Sequence, residues 1–195
     1  MSKDILKEIL FGQKKLAMKK TVFMWCGALI LILVCTLHAA SQVKEEFDDL
    51  VFYIPNGLSI NKTENTLLLS DSLLANGQNF TITINKSVLS LKKIEKTFPV
   101  FWRESLLNDG VDKPAAEPEF VKTQTNSGWS CFRGGKMVSY NSQSPEFYYH
   151  LTVVKYLGIT VKIITRSSSE ELFMQRYPQL MQMVTAINFK TPPPK

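Results

Sequence analysis

Residues 147–166 read Phe147-Tyr-Tyr-His-Leu-Thr-Val-Val-Lys-Tyr-Leu-Gly-Ile-Thr-Val-Lys-Ile-Ile-Thr-Arg166, and the architecture of the chain can be derived from them. Apolar and polar residues alternate on both sides of Gly158, a pattern typical of two strands joined by a turn. The alternation predicts that the odd-numbered residues from Phe147 to Ile163 form one buried face. The opposite, partly wet face would then carry Tyr148, His150, Thr152, Thr160, Lys162 and Arg166.

A helix is predicted directly after this hairpin. Ser168 and Glu171 have the spacing of a capping box, in which each side chain satisfies a backbone N–H at the start of a helix. Apolar residues then recur at helical spacing, at Phe173, Tyr177, Leu180, Met181 and Val184. Pro178 falls inside the stripe and is interpreted as a tolerated bend.

Three short strands are predicted upstream, at Leu50–Ile54, Thr66–Ser70 and around Phe80, Ile82 and Ile84. Residues 42–49 are polar and acidic, which favours a tether. A second helical stripe follows at Leu91, Ile94, Phe98, Phe101 or Trp102, and Leu106. Pro99 interrupts it, so a kink or two shorter helices are expected. Trp102 is interpreted as a core residue in preference to a binding aromatic.

The region between this stripe and the long hairpin is predicted to be a loop at 108–118 and a strand at 119–125. Residues 129–133 and 136–140 would then be two strands joined by a tight turn at Gly134-Gly135, because both glycines accept the positive φ that such turns require.

An apolar run at Val22–Leu37 follows four lysines and ends at His38-Ala-Ala-Ser41, which is the form of an export signal. Cleavage between Ser41 and Gln42, or after Ala39, is expected, and an uncleaved membrane anchor is the alternative. Translation from Met18 would give a typical bacterial signal, whereas Met1 would add a short amphipathic helix. The predicted organisation is therefore residues 1–41 as extension and signal, 42–190 as a single α+β domain, and 191–195 as a disordered proline-rich tail.

Charge and the rare residue types exclude several functions. The chain carries +6, of which six lysines against Asp4 and Glu8 in residues 1–41 account for +4, so the remaining 154 residues carry only +2. That excess gives no basis for nucleic-acid binding. Cys131 and His150 are the only cysteine and histidine after residue 41. No second cysteine or histidine is therefore available to complete a Cys/His pair or a zinc site. No metal or other cofactor is expected.

Acidic residues could in principle provide the paired carboxylates of a hydrolase. Asp109, Asp112, Glu117 and Glu119 are close in sequence, but they lie in a stretch with turn chemistry and are interpreted as solvated loop charge. No catalytic residue is assigned, and the chain is predicted not to be an enzyme.

The order of elements resembles the PsbP-like superfamily. The resemblance is carried by Ile54-Pro-Asn-Gly57 after the first strand, an early helix, a meander of strands, and a long hairpin leading into a helix that closes at Ala186-Ile-Asn-Phe189. That superfamily includes the DcrB-type periplasmic proteins, Mog-type Ran-binding proteins and Eag-type chaperones. The resemblance implies an α+β fold, with an antiparallel sheet of about six or seven strands and helices packed on its faces. It also implies protein binding without catalysis.

Export without a catalytic constellation predicts a protein-binding or accessory domain in the bacterial periplasm or envelope. Its partner would be an envelope component or, if the chain is an immunity protein, a toxin delivered to the periplasm. The candidate binding residues are Tyr148, His150, Lys162 and Arg166, on the wet side of the predicted hairpin. Asn61, Asn79 and Asn85 match the glycosylation pattern, which has no consequence in a bacterial host.

Overall fold

Two antiparallel sheets and two helices make up the residues that the computed structural model describes, which are 43–71, 74, 77–90 and 92–190. The elements are β1 (Val43–Phe47), β2 (Leu50–Ile54), β3 (Leu58–Lys62), β4 (Thr66–Asp71), β5 (Phe80–Asn85), β6 (Val88–Leu89), α1 (Ile94–Asn108), β7 (Val121–Gln124), β8 (Ser130–Val138), β9 (Phe147–Tyr156), β10 (Ile159–Ser167), α2 (Glu170–Thr185) and β11 (Asn188–Phe189).

The large sheet has the strand order β3-β4-β5-β10-β9-β8-β7, with β6 paired to β10 as an eighth strand. The small sheet has the order β1-β2-β11. Neighbouring strands are antiparallel throughout, and α1 and α2 pack against strands of the large sheet. The predicted α+β class with an antiparallel sheet and helices on its faces is confirmed.

The β9–β10 hairpin occupies the centre of the large sheet, but the predicted division of its faces is wrong. Leu157 and Gly158 form a two-residue turn, so Tyr156 pairs with Ile159 and every pair joins an even-numbered residue to an odd-numbered one. Side chains of directly paired residues lie on the same face. Phe147 and Tyr149 therefore lie on the face opposite to Ile163, and a sheet buried on both faces results.

Two cores follow from this arrangement. The first lies between the large sheet, α2 and the small sheet, and the second lies between α1 and strands β8 and β9. The first contains Phe47, Leu50, Phe52, Leu67, Leu69, Phe80, Ile82, Ile84, Val161, Ile163, Phe173, Leu180 and Val184. The second contains Ile94, Phe98, Trp102, Leu106, Phe132, Phe147, Tyr149, Leu151 and Val153. Trp102 is buried and its Nε1–H donates to the Ala115 carbonyl at 3.0 Å, which confirms it as a core residue.

Both prolines lie within continuous helices. Pro99 is in the second turn of α1, so the expectation of two shorter helices is wrong. Proline removes one backbone hydrogen bond, here to the carbonyl of the exposed residue Glu95, and packing of the buried stripe outweighs that loss. The cap of α2 is Ser169, one residue later than predicted, with its Oγ accepting from the Leu172 N–H at 3.1 Å.

The five-residue edge strands β1 and β3 were not predicted from the sequence, nor were the two-residue strands β6 and β11. Residues 43–47, interpreted as a tether, form β1 and pair with β2, and Leu58–Lys62 forms β3. Both strands are largely exposed, with only Phe47 of β1 buried. Strands on the rim of a sheet have little apolar alternation and resemble loops in sequence.

Gly134 and Gly135 do not form a turn, and the predicted hairpin at this position is wrong. They lie inside the nine-residue strand β8, which pairs with β9 along its whole length. A Cβ on Gly134 would lie 2.7 Å from the Glu119 carbonyl oxygen. A Cβ on Gly135 would lie 2.8 Å from Tyr148 Oη and 3.0 Å from His150 Cδ2. The glycines allow neighbouring groups to approach the strand closely.

The predicted signal, the cleavage site at Ser41 and Gln42, and the tail at 191–195 lie outside the described residues. Within residues 43–190, as far as they are described, neither helix is long and apolar enough to cross a membrane.

We predict that Gly134→Ala and Gly135→Ala each lower the free energy of unfolding by about 1–3 kcal/mol, because the added methyl group would overlap a neighbouring group. Urea unfolding measures the change, and Ser130→Ala in the same strand is the control, with a change within about 0.5 kcal/mol. A wild-type midpoint for both glycine variants would contradict the close packing.

Candidate functional site

One face of the large sheet is only partly covered on strands β4 and β5, which follow the β9–β10 hairpin in the strand order. Along β5, Phe80, Ile82 and Ile84 are buried, whereas Thr81 and Thr83 between them are half-exposed. Strand β4 has the same alternation. We call the uncovered side the open face. By strand register it consists of Ser59, Asn61, Thr66, Leu68, Ser70, Thr81, Thr83, Asn85, Lys162 and Arg166.

Hydroxyl and amide groups dominate the open face. Ser59 Oγ and Ser70 Oγ are 2.8 Å apart across two paired strands. Asn85 Nδ2 donates to the Lys162 carbonyl at 3.5 Å. The Lys162 ammonium lies 5.2 Å from the centre of the Phe101 ring of α1, within reach of a cation–π contact. The surface can thus donate and accept many hydrogen bonds, with positive charge along its border with α1.

An ion pair marks that border. Arg166 Nε donates to Asp109 Oδ2 at 3.1 Å, and its terminal nitrogen contacts Oδ1 of the same carboxylate. Asp109 is the C-cap residue of α1 and its side chain is only 13 % exposed, against 32 % for Arg166. The two-point contact fixes the end of α1 against β10. Arg166 is therefore a positioning residue that also presents part of its guanidinium to the open face.

Tyr149 lies beneath the same ion pair. Burial raises the pKa of its phenol, and the neighbouring Asp109 carboxylate raises it further. The hydroxyl stays protonated at physiological pH, so it does not act as a base. Tyr149 is a buried core residue. Its Oη and the nearby Ser105 Oγ are buried without a hydrogen-bond partner among the described residues.

Tyr148 and His150 lie on the other side of the sheet, beneath α2. The Phe173 ring is 4.5 Å from Tyr148 and 4.9 Å from His150, centre to centre. His150 is 4 % exposed, and burial followed by the nearby charge of Arg133 lowers its pKa to about 3. The four residues predicted as one binding surface are therefore divided: Lys162 and Arg166 border the open face, and Tyr148 and His150 pack in the first core.

The side chains considered for chemistry have separate surroundings. Asp109 is engaged by Arg166, whereas Glu117 lines a shallow depression beside Pro99 and Arg103. Cys131 is buried, and desolvation raises its pKa, as expected for a structural thiol. Within the described ranges, no three His, Cys, Asp or Glu side chains are grouped so that they could hold a metal ion.

The hydroxyl residues of the open face were not singled out from the sequence. Thr81, Thr83 and Asn85 alternate with the buried residues of β5 and lie on its half-exposed side. The sequence does not show that Ser70 and Leu68 of β4 lie beside these residues. Nor does it show that neither helix covers this face of β3, β4 and β5. That information lies in the strand order.

No family model matches the chain, and no curated protein matches it. Solved structures do. The Saccharomyces cerevisiae Ran-binding protein Mog1p has a TM-score of 0.54 at 12 % identity, over 76 % of this chain and 96 % of that one. A mutant of Mog1 gives 0.55 at 11 % identity with the same coverage. A Bacteroides thetaiotaomicron structure gives 0.49 at 11 % identity, over 80 % of this chain and 50 % of its own. At this identity the likeness to Mog1p establishes a related fold.

We predict that His150 makes the protein sensitive to mild acid. Its folded pKa of about 3 is below the unfolded value of 6.5, so the unfolded chain takes up the proton first and stability falls as pH drops from 6.5 towards 3. The loss from pH 6.5 to 5 should be about 2 kcal/mol, measured as the free energy of unfolding in urea.

His150→Gln should remove most of this slope, whereas His38→Gln, at the only other histidine, should retain it. An unchanged slope in His150→Gln would show that other groups cause the acid sensitivity.

Proposed function

We propose that this chain is a non-catalytic protein-binding domain of the PsbP-like superfamily that acts in the bacterial periplasm or at the envelope. The observation that carries the proposal is the open face, a mainly polar surface on a sheet whose central strands β9 and β10 are covered on both sides. Alternating burial along β4 and β5 is the expected pattern for strands with one solvated face. A polar surface that extends over β3, β4, β5 and β10 suits a macromolecular partner.

The chemistry of the face supports a protein as the partner in preference to a small molecule. Small-molecule sites are concave and mostly apolar, whereas most residues of the open face carry short hydroxyl or amide side chains. Depressions of about 420 Å³ occur elsewhere, one beside Tyr53 of the small sheet and one beside Tyr140. Yeast Mog1p, which shares the fold, is a Ran-binding protein, and this supports a protein partner in general.

Location outside the cytoplasm rests on the run Val22–Leu37 and the small residues that follow it. An immunity protein that neutralises a toxin delivered to the periplasm is the more specific alternative. Lys162 and Arg166 would then complement an acidic rim on the toxin, because immunity and toxin pairs depend on charge complementarity for fast association.

We predict that Thr83→Lys, at the centre of the open face, reduces recovery of the partner at least tenfold in affinity purification of the tagged full chain from the envelope. A long charged side chain there would separate two packed surfaces. Met174→Lys, on the exposed side of α2, is the matched control and should retain the partner. Thr83→Val separates loss of the hydroxyl from steric exclusion. Equal recovery by Thr83→Lys and Met174→Lys would rule out the open face.

We predict that the chain recovered from the envelope begins at Gln42, as determined by mass spectrometry of its N-terminal peptide. Ala39→Lys should block processing, because signal peptidase requires small residues before the cleaved bond. A chain that still begins at Met1 or Met18 would indicate the uncleaved anchor, with the domain outside the cytoplasm. Recovery of the chain only from the cytoplasmic fraction would contradict export.

A further inference from the structure

Three exposed apolar side chains lie at one end of the large sheet. Leu89 of β6 is 86 % exposed, Leu157 in the β9–β10 turn is 66 % exposed, and Val88 is 45 % exposed. β6 pairs with the first residues of β10, and the Ser90 N–H donates to the Gly158 carbonyl at 2.6 Å, so the two segments are adjacent. We call Val88, Leu89 and Leu157 the apolar tip.

Leu157 has a backbone conformation that its residue type disfavours. Its φ is +42° and that of Gly158 is +87°, so both central residues of the two-residue turn are left-handed. Such turns favour Asn-Gly, since leucine pays a steric penalty at positive φ. The leucine side chain is mostly exposed, so packing does not compensate for the strain. Strain without a packing benefit indicates a functional requirement for the side chain.

Positive charge surrounds the apolar tip. Lys86 precedes it in the chain, Lys92 and Lys93 follow it, and all three side chains are exposed. Lys155 lies beside it on β9, and its ammonium donates to the Lys92 carbonyl. Three acidic side chains of the described residues lie in this region, which are Asp48, Glu95 and the exposed Glu64 beside Asn65. Asp48 accepts the Ser87 N–H at 2.9 Å, and Glu95 pairs with Lys122 at 3.4 Å.

We propose that the apolar tip and its lysines dock on an anionic lipid surface, with the leucines entering the interface and the lysines contacting the headgroups. Apolar side chains ringed by basic ones are the combination that binds peripheral proteins to anionic membranes. Three exposed side chains are too few for the roughly 800 Å² that each partner buries in a stable protein interface. A fluid surface needs no matching groove.

The docking involves none of the open-face residues, so it stands independently of the proposed function. It would hold the domain at the membrane by its own surface, and not solely through a segment before residue 43.

The test measures hydrogen exchange of the full chain on vesicles of phosphatidylcholine alone and on vesicles with 30 % phosphatidylglycerol. The lysines before Val22 also favour anionic vesicles, so the readout is protection confined to residues 86–90 and 155–160, compared with β2 of the same chain. We expect amides of residues 86–90 and 155–160 to exchange at least tenfold more slowly on the anionic vesicles. Peptides from β2 should be unaffected.

The double variant Leu89→Ser and Leu157→Asn should lose this protection, since each leucine contributes about a tenfold change in partitioning. Lys92→Glu with Lys93→Glu should lose it as well, whereas Met174→Ser, which removes an exposed apolar residue of α2, should keep it. Leu157→Asn alone should raise the melting temperature by about 2–4 °C, because asparagine relieves the strained turn.

Equal exchange on the two vesicle types would overturn the proposal. So would protection by polyglutamate without lipid that exceeds protection by the anionic vesicles, because that result would identify an acidic protein as the occupant.

Discussion

The fold depends on one constraint, which is that the β9–β10 hairpin is apolar on both faces and must be buried on both. The two-residue turn at Leu157-Gly158 fixes the register, and the register sends Tyr149 and Leu151 to one face and Val161 and Ile163 to the other. Water cannot be excluded from both faces by a single layer of helices. The chain therefore places α1 on one side of the sheet and α2, with the small sheet, on the other.

The two faces of the large sheet are covered to different extents because more secondary structure packs on one face than on the other. α2 and the three-stranded sheet together bury the first core as far as β4, whereas the second side is covered by α1, which packs on β8 and β9, and by Val111, Ala115 and Phe120 of the segment that follows it. Asp109 and Arg166 hold the C-terminal end of α1 at β10. Past this contact, strands β4 and β5 carry the open-face residues, which include Thr81 and Thr83. The open face is thus a consequence of how far one fifteen-residue helix extends.

Sequence patterns predicted what depends on local periodicity. The hairpin, the two amphipathic helices and the alternation of β5 follow from apolar spacing alone. Which face of the sheet Tyr148 and His150 lie on depends on the number of residues in the β9–β10 turn. One residue more or less would change the register and reverse the faces. Gly134 and Gly135 were misread because a glycine pair has the same appearance whether it bends the backbone or admits a neighbour. In this chain Glu119, Tyr148 and His150 are the neighbours, and none is near in sequence.

The edges of the large sheet further favour a face as the binding surface. A free edge could recruit a partner strand, but both edges are protected. Lys62 on β3 donates to Glu45 Oε1 at 3.2 Å and to the Glu46 carbonyl, which ties that edge to β1. The other edge, β7, is only four residues long, and Lys122 lies over the Phe132 ring at 5.3 Å. A protein partner that cannot add a strand would have to bind side chains, and the open face presents a mainly polar set of them.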